Sequence, residues 1–443
     1  MKRIITFSLF FLLAIAGRAQ DSLQCISRAK IAVENILKEN YNLVHDQFDS
    51  LYATKMDTAR LERVWNNILK LTGKFKNYDS LRTSHERGHF CVIQRCAFEK
   101  TKVDIKCEFS IRSKISNLFF LPAEKPNQYK NPSYADTLAI VNSDLPIQAP
   151  DLYLPGTLTL PKGKGPFPVL ILIHGSGPND RDESVGATKI FKDFSFGLPA
   201  RGIAVYRYEK RIKKYAIKYR LGHVAYTSKE ETVDDALAAI ELVKKQPGID
   251  STKVFLLGHS FGGMIMPKIL SGAKDIQGVV FLAANARPLE DLMVGQAEYL
   301  LGLDTNKSDY RKAIIDSVRK EAVTIRNITK KNLPDTNQIM RLPVKYWKDM
   351  AGYDPVKSLQ KFHMPFLFLQ GGRDYQVNNL DYDQWMKGFK DRKNAQFKLY
   401  PDMNHFFASG SGNSSPNEYA RGGNVELPVI EDITSWIKTG KIK

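Results

Sequence analysis

The segment KVFLLGHSFGGMIM, residues 253–266, joins an apolar stretch to a glycine-flanked serine and then to a second apolar stretch. Its central five residues, GHSFG (258–262), follow the pattern G-x-S-x-G. A strand before this pattern and a helix after it are typical of a nucleophile elbow, a sharp turn that exposes a serine hydroxyl. We expect glycine to be required at both ends of the pattern, because the turn brings the two backbones together. The segment therefore predicts Ser260 as a nucleophile at the amino end of a helix, where the dipole favours developing negative charge.

A serine hydroxyl is a weak nucleophile at neutral pH and needs a general base that a carboxylate orients. The strand-like run PFLFLQ is followed by GGRD, which places Asp374 just beyond a strand end. The next strand-like run, FKLY, is followed by PDMNH, which ends in His405. Open α/β sheets place their sites beyond the carboxyl ends of their strands. The order Ser260, Asp374, His405 therefore predicts a catalytic triad, with Asp402 as an alternative acid.

An oxyanion needs two backbone donors. We expect one from Phe261, the residue after the nucleophile, and one from HGSGP (174–178), which leaves the strand-like run PVLILI. In that segment the N–H of Ser176 is preferred and that of Gly177 is held in reserve. His174 and His259 are expected to pack and hydrogen-bond rather than to catalyse. The polar segment NDRDE (179–183) either lines the pocket or caps the next helix.

The pattern of segments along the chain predicts two domains. From residue 137 to residue 443, strand-like and helix-like segments alternate, which predicts an α/β fold with a doubly wound, mostly parallel sheet. Residues 288–351 are helical in pattern and interrupt the alternation, so they predict a helical cap. Residues 20–124 show helical spacing and then strand-like alternation from Phe90, which predicts a small α+β domain, and residues 125–136 are expected to be a linker. Several cap residues either line an acyl pocket or form only the buried face of the cap: Leu292, Met293, Tyr299, Leu300, Tyr346 and Trp347.

The first residues, MKRIITFSLFFLLAIAGRAQ, combine a charged start, a short apolar run and small residues before Gln20. They predict a signal peptide over residues 1–19 and an exported protein, periplasmic or extracellular, without a stable membrane span in its mature form. All four cysteines of the 443-residue chain precede residue 110. In an oxidising compartment some of them could pair, and Cys91 or Cys96 could meet Cys107 across neighbouring strands.

The formal net charge of +18 comes without any nucleic-acid motif, so we interpret it as a solvated lysine-rich surface and expect no nucleic-acid partner. The stretch TSHERGHF (83–90) contains His85, Glu86 and His89 in the spacing H-E-x-x-H of a zinc protease helix. A helix is not expected there, because Gly88 weakens it and strand-like residues follow. We therefore predict a surface loop leading into the first strand, with no metal or organic cofactor. A homodimer remains open.

Residues from roughly 131 to 440 resemble the α/β-hydrolase fold, and most closely the exported esterases that carry a small N-terminal α+β domain. The stretches that carry the resemblance are PSYAD, LPGTLTLP, HGSGPNDRDE, VYRYEKR, DDALAAIELVKKQPGID, GHSFGG, GGRDYQV and MNH. The resemblance implies a carboxyl-ester hydrolase acting on a small-molecule ester with Ser260, Asp374 and His405, under a helical cap. It also implies a cystatin-like or transport-factor-like first domain. One departure is RYEKRI (207–212), where relatives often have RYDKRG.

The triad by itself does not select among acyl-transfer reactions. A thioesterase, an acyltransferase or a serine peptidase would use the same residues. Two further hypotheses lie outside this chemistry: a binding protein built on an inactive hydrolase scaffold, and a zinc protease using His85, Glu86 and His89.

Overall fold

The structure is a computed structural model that describes residues 10–86, 89–110, 112–123, 128–220, 224–303 and 309–443. The chain divides into two compact units, Met1–Pro126 and Asn127–Lys443. Of the predicted signal peptide, residues 1–9 lie outside the described residues and the remainder belongs to the first helix, so export stays a prediction. Among the helices that the structure describes, none combines the length and the apolar character that crossing a bilayer requires.

In the described part of the first unit, helices precede an antiparallel sheet. The helices are α1 (Phe10–Leu37), α2 (Tyr41–His45), α3 (Ser50–Lys55) and α4 (Thr58–Thr72). The strands β1 (Phe75–Glu86), β2 (His89–Phe98), β3 (Lys102–Phe109) and β4 (Ile115–Pro122) pair in that order, each antiparallel to the next. Ile36 of α1 and Trp65 of α4 pack in one core with Val92 and Ile105 of the sheet. The small α+β class predicted for this part of the chain is confirmed.

Strand β1 was not predicted, and it changes the setting of TSHERGHF. His85 stands opposite Phe90, and Glu86 opposite His89, so the pattern H-E-x-x-H crosses the end of an antiparallel hairpin. The predicted loop was wrong, because β1 runs as far as Glu86. A zinc helix needs both histidines on one helical face. Two paired strands do not provide one, so the zinc protease hypothesis fails on backbone geometry.

Cys96 and Cys107 are buried, free thiols in this unit. Cys107 stands opposite Val92 in the sheet, and Cys96 stands opposite Val103, so neither predicted pairing of Cys107 occurs. Burial raises the pKa of both thiols to about 12. Both groups are therefore protonated at neutral pH and chemically inert.

The second unit is built on a sheet that, in the described residues, has eight strands. The strands of this unit are β5 (Ile140–Asp144), β6 (Ile147–Ala149), β7 (Leu152–Leu154), β8 (Gly156–Pro161), β9 (Phe167–Ile173), β10 (Ser184–Val185), β11 (Thr188–Lys189), β12 (Ala204–Tyr208), β13 (Ile249–His259), β14 (Ile276–Leu282), β15 (Gln338–Ile339), β16 (Leu342–Pro343), β17 (Phe366–Gly371) and β18 (Ala395–Tyr400). The sheet has the order β18-β17-β14-β13-β9-β12-β8-β5. Pairing is parallel from β18 to β12, and β8 is antiparallel to both of its neighbours.

The helices of the second unit cover both faces of this sheet or belong to the insertion between β14 and β17. They are α5 (Ile190–Gly197), α6 (Arg211–Lys214), α7 (Ala216–Arg220), α8 (Asp234–Lys244), α9 (Phe261–Met264), α10 (Met266–Gly272), α11 (Leu289–Gly302), α12 (Asp309–Arg326), α13 (Val344–Met350), α14 (Pro355–Leu359), α15 (Asn379–Phe389), α16 (Pro416–Arg421) and α17 (Leu427–Thr439). Alternate residues of β9 explain the arrangement. Ile171 packs with the cluster that contains α8 and α10 side chains, and Leu172 packs with the cluster formed by α5 and α17. A strand buried on both faces needs an uninterrupted apolar sequence, and PVLILI provides it. The predicted doubly wound α/β class is confirmed.

Between β14 and β17 the chain leaves the sheet and forms α11, α12, the hairpin β15–β16 and α13. We use the name cap for this insertion, residues 288–351. The sequence indicated a largely helical insertion, and it did not indicate the β15–β16 hairpin. Within the cap, Tyr346 and Trp347 are fully buried, whereas Leu300 is exposed.

Candidate active site

Ser260 lies at the junction of β13 and α9, and its backbone is strained. Its φ is 52° and its ψ is −120°, in a region that non-glycine residues rarely occupy. Such strain persists where the surrounding structure enforces it, and it is concentrated at functional positions. The flanking glycines permit the close approach that the turn needs: a Cβ on Gly258 would lie 2.7 Å from the backbone of Gly262, and one on Gly262 would clash with the carbonyl of Ile173. The turn therefore has the backbone geometry expected of a nucleophile elbow.

Asp374 and His405 meet beyond the ends of β17 and β18. His405 Nδ1 lies 2.6 Å from Asp374 Oδ2, and both side chains are almost fully buried. The other oxygen of Asp374 accepts the backbone N–H groups of Gln376 at 2.8 Å and Val377 at 2.9 Å. A carboxylate fixed by two backbone donors holds the imidazole with Nδ1 protonated and Nε2 unprotonated, the tautomer that a general base requires.

The alternative acid is placed elsewhere. Asp402 is exposed to solvent, and the described hydrogen bonds link it to the chain through its backbone carbonyl, which accepts from Gly410 at 2.9 Å. The aspartate beside His405 is therefore Asp374.

A cavity of about 630 Å³ brings Ser260 and His405 together. Within the described hydrogen bonds, the Ser260 hydroxyl donates at 3.5 Å to Oδ1 of Asn285, a long contact. The described contacts contain no hydrogen bond between Ser260 and His405. Such a nucleophile–base hydrogen bond is often formed only when substrate is bound, so its absence here does not argue against catalysis by these residues. Asn285 is a pocket residue that the sequence did not indicate, since it follows β14 without any recognisable motif. Leu292 and Met293 of the cap also line this cavity. Of the two alternatives given for them, this agrees with the lining of a pocket.

The predicted oxyanion donors lie on two sides of Ser260. Phe261 is the first residue of α9, so its N–H has no acceptor within the helix. Ser176 is exposed and lines the same cavity, as does Gly177, the reserve donor. The preceding N–H, that of Gly175, is already donated to Glu183 Oε1 at 2.7 Å. Of the segment HGSGP, the N–H groups at Ser176 and Gly177 therefore remain the candidates.

Glu183 and His259 form a buried ion pair in the cavity wall. His259 Nδ1 lies 3.1 Å from Glu183 Oε1, and His259 Nε2 lies 3.1 Å from the carbonyl oxygen of His405. Burial alone would raise the pKa of Glu183, but the charge and hydrogen bond of His259 outweigh it and lower that pKa below 4.5. Burial would likewise lower the pKa of His259, but Glu183 raises it above 6.5. The Glu183 carboxylate thus contacts both Gly175 and His259, and through His259 it is connected to the loop of His405.

Replacing Glu183 by glutamine should lower kcat by about 10- to 100-fold with little change in KM, because the catalytic groups lose their mutual alignment. Glutamine keeps an acceptor for the Gly175 N–H but removes the charge that His259 needs. Steady-state kinetics on a p-nitrophenyl ester measures this. Asp180→Asn, which alters a partly exposed carboxylate of the same loop, is the control.

The same pair makes the stability of the protein depend on pH. The lowered pKa of Glu183 contributes stability above pH 4.5, and this is lost as the pH falls through the folded-state value. The raised pKa of His259 contributes stability below pH 6.5, and this is lost as the pH rises through its folded-state value. The difference in Tm between the parent and Glu183→Gln should therefore be largest between about pH 4.5 and 6.5. A difference independent of pH would contradict the ion pair.

A second buried network joins the HGSGP segment (174–178) to the cap. Lys210 Nζ donates to the carbonyl of Gly175 at 2.9 Å and to Glu231 Oε1 at 2.6 Å. The other oxygen of Glu231 accepts the hydroxyl of Tyr346, on cap helix α13, at 2.7 Å. His174, whose Nε2 lies 2.5 Å from the carbonyl of Tyr208, has its pKa lowered to about 4 by burial. It is therefore neutral at pH 7 and holds the loop rather than transferring protons.

Comparison with known proteins gives two independent sequence matches. A profile of the family described as "Serine aminopeptidase, S33" matches residues 187–408. The protein "Esterase EstD" of Thermotoga maritima is 31% identical over 443 residues, covering 99% of this chain and 100% of that protein. The profile includes Ser260, Asp374 and His405, and the relative is similar along the whole chain.

Solved structures show a weaker likeness. The hyperthermophilic esterase of Pyrobaculum calidifontis has a TM-score of 0.43 and 15% identity, covering 68% of this chain and 87% of that one. Est1E of Butyrivibrio proteoclasticus has a TM-score of 0.40 and 19% identity, covering 59% of this chain and 90% of that one. The assignment to a family rests on the sequence matches alone.

Proposed function

Because the chain belongs to the α/β-hydrolase family described as serine aminopeptidase S33 and is a carboxylic ester hydrolase, we propose that it acts through a Ser260–His405–Asp374 triad and an acyl-enzyme. The observation that carries the proposal is the 2.6 Å contact between His405 Nδ1 and Asp374 Oδ2, beside a cavity that holds the strained Ser260. This contact supports an arrangement in which Ser260 is the nucleophile, His405 the base and Asp374 the orienting acid, as acyl transfer needs.

In the first step, His405 Nε2 takes the proton of the Ser260 hydroxyl as the oxygen attacks the ester carbonyl. Asp374 keeps the proton on Nδ1 and stabilises the imidazolium that forms. The N–H groups of Phe261 and Ser176 bind the oxyanion, and His405 then protonates the departing alcohol. In the second step, water attacks the acyl-enzyme with His405 again as the base, and the acid product leaves Ser260 in its starting state.

The charges of the cavity favour an ester over a peptide with a free amino terminus. An aminopeptidase must bind an ammonium group, and a carboxylate is the usual partner for it. Among the cavity-lining residues that the structure describes, the carboxylates are those of Glu183 and Glu231. Glu183 is paired with His259 and Glu231 with Lys210. Neither is available to a substrate ammonium without breaking a buried pair, which costs about 3–5 kcal/mol.

A fluorophosphonate probe combined with a substrate panel tests the proposal. The probe should attach to Ser260, as mass spectrometry of the labelled peptide would show, and labelling should abolish hydrolysis. The parent enzyme is expected to cleave p-nitrophenyl esters of graded acyl length faster than a matched thioester or an amino-acid p-nitroanilide. A chelator should leave these rates unchanged. A p-nitroanilide cleaved faster than every ester would make the protein a peptidase, and probe attachment at another serine would refute the assignment of Ser260.

A further inference from the structure

The tip of the cap hairpin β15–β16 is a strained turn. Ile339 pairs with Leu342, so Met340 and Arg341 form a two-residue loop. Their φ angles are 46° and 66°, both in the left-handed region. A two-residue hairpin loop with both φ angles positive is a type I′ turn, for which Asn-Gly is strongly preferred. Methionine and arginine are poor residues for this backbone, since each carries a Cβ that the left-handed region disfavours.

The rest of the cap enforces this conformation. The N–H of Met340 donates to Glu321 Oε2 of α12 at 2.9 Å. The carbonyl of Ile339 accepts the indole N–H of Trp347 at 2.8 Å, and the N–H of Val344 donates to the carbonyl of Asn337 at 2.7 Å. The hairpin is thus tied to α12 and α13 on either side of the turn. Strain that its surroundings enforce in this way is a mark of function, because an Asn-Gly turn would build the same hairpin without it.

Both strained residues line the cavity that contains Ser260. Arg341 is exposed, and among the described side chains it has no acidic partner. The other charged groups of the cavity wall are compensated: Glu183 by His259 and Glu231 by Lys210. In the part of the cavity that the structure describes, the guanidinium of Arg341 is therefore the uncompensated positive charge.

The other residues that line the cavity indicate which kind of ligand would fit beside the guanidinium of Arg341. The lining includes the apolar side chains of Ile212, Leu289 and Leu292, and Gln338 stands two residues before the turn on the hairpin itself. Such a cavity favours a ligand with an apolar body and one anionic end. A guanidinium presents parallel N–H groups that match the two oxygens of a carboxylate, which makes carboxylate its natural partner.

We propose that the ester substrate carries a carboxylate and that Arg341 binds it while Ser260 attacks the ester. Arg341 is on this view a specificity-determining residue, and the product is a dicarboxylate or a hydroxy acid. The inference rests on the proposed function, because it uses the same cavity and the same nucleophile. It also explains why the turn is strained, since the turn holds the backbone of Arg341, whose side chain is long and flexible, at the cavity wall.

Two matched substrate pairs test the proposal. Monomethyl adipate against dimethyl adipate places the carboxylate on the acyl side. The pair 4-acetoxybenzoate and methyl 4-acetoxybenzoate places it on the alcohol side. For at least one pair, the parent kcat/KM should favour the anion by roughly tenfold or more, since a hydrogen-bonded charge pair contributes that much. The preference should shrink as salt is added, because Arg341 is exposed and its charge is screened.

The decisive variant is Arg341→Asn. Asparagine tolerates the left-handed region better than arginine, so the variant should be at least as thermostable as the parent. Its kcat/KM for the anionic ester should fall by roughly tenfold, whereas that for the neutral ester stays the same. Arg341→Lys should retain part of the preference, because it keeps the charge but not the paired donors. Lys331→Asn, which removes one exposed cap charge that does not line the cavity, is the control for net charge.

The outcomes separate this inference from the proposed function. If the parent treats both members of each pair alike, or Arg341→Asn retains the preference, the carboxylate inference is wrong while ester hydrolysis by Ser260 stands. An equal loss on neutral and anionic esters in Arg341→Asn would also refute it. If Ser260→Ala hydrolyses all four esters at the parent rate, the proposed function itself fails.

Discussion

Replacing Ser260 by alanine should lower kcat on p-nitrophenyl acetate by roughly 10³-fold or more, because no acyl-enzyme forms without its hydroxyl oxygen. Alanine keeps the Cβ that the strained backbone already accommodates. Among the described side-chain hydrogen bonds, the substitution removes the long contact with Asn285. The variant should therefore fold as the parent does. Rate measurements on the purified variant, accompanied by its Tm, separate lost chemistry from lost structure.

The control for this experiment is Ser271→Ala on α10, an exposed position whose hydroxyl donates to the carbonyl of Pro267 and accepts from Lys361 Nζ at 3.2 Å. It should keep both the parent rate and fluorophosphonate labelling. A Ser260→Ala enzyme with the parent rate would show that another nucleophile performs the hydrolysis.

Replacing Asp374 by asparagine should lower kcat by roughly 10⁴-fold and leave KM almost unchanged. The N–H groups of Gln376 and Val377 would hold the amide oxygen of the new side chain in the place of Asp374 Oδ1. Its NH₂ group would then face His405 Nδ1, which must accept rather than donate. The proton of the imidazole would move to Nε2, and His405 could no longer accept the proton of Ser260. Steady-state kinetics from pH 5 to 9 measures the loss.

Asp402→Asn is the matched control, because it makes the same chemical change at the exposed carboxylate of the His405 loop. It should keep the parent rate. If Asp402→Asn lost the activity and Asp374→Asn retained it, the orienting acid would be Asp402 and the described hydrogen bond of His405 would not serve catalysis.

The sequence could predict that Ser260, Asp374 and His405 lie beyond strand ends, because each follows a recognisable strand of a parallel sheet, strongly apolar in β17 and less so in β18. Parallel strands share an edge at their carboxyl ends, so residues far apart in sequence are brought to one place by topology alone. The order of the strands does not reveal which side chains will pair with each other. Glu183 and His259 are separated by many residues, and only the folded loops show that they form a pair.

The hairpins were missed for a different reason. β15–β16 is held by Trp347 and Glu321 rather than by turn-favouring residues, since Met340-Arg341 carries none of the usual signals. In the first unit, β1 has mostly exposed residues over its described side chains, so the apolar alternation that indicates a strand is weak there. In both places tertiary contacts decide the conformation, and local sequence does not report them.

The buried Lys210–Glu231–Tyr346 network makes movement of cap helix α13 costly. Lifting α13 would remove the Tyr346 hydroxyl from Glu231 and leave that carboxylate one partner short, a change costing about 1–3 kcal/mol. Lys268 adds to the restraint, since its ammonium lies 2.9 Å from Asp349 on the same helix. Helix α13 is therefore restrained at two points along its length. Ser176 and Arg341, which both line the cavity that contains Ser260, are exposed, so this cavity is open to solvent at these residues.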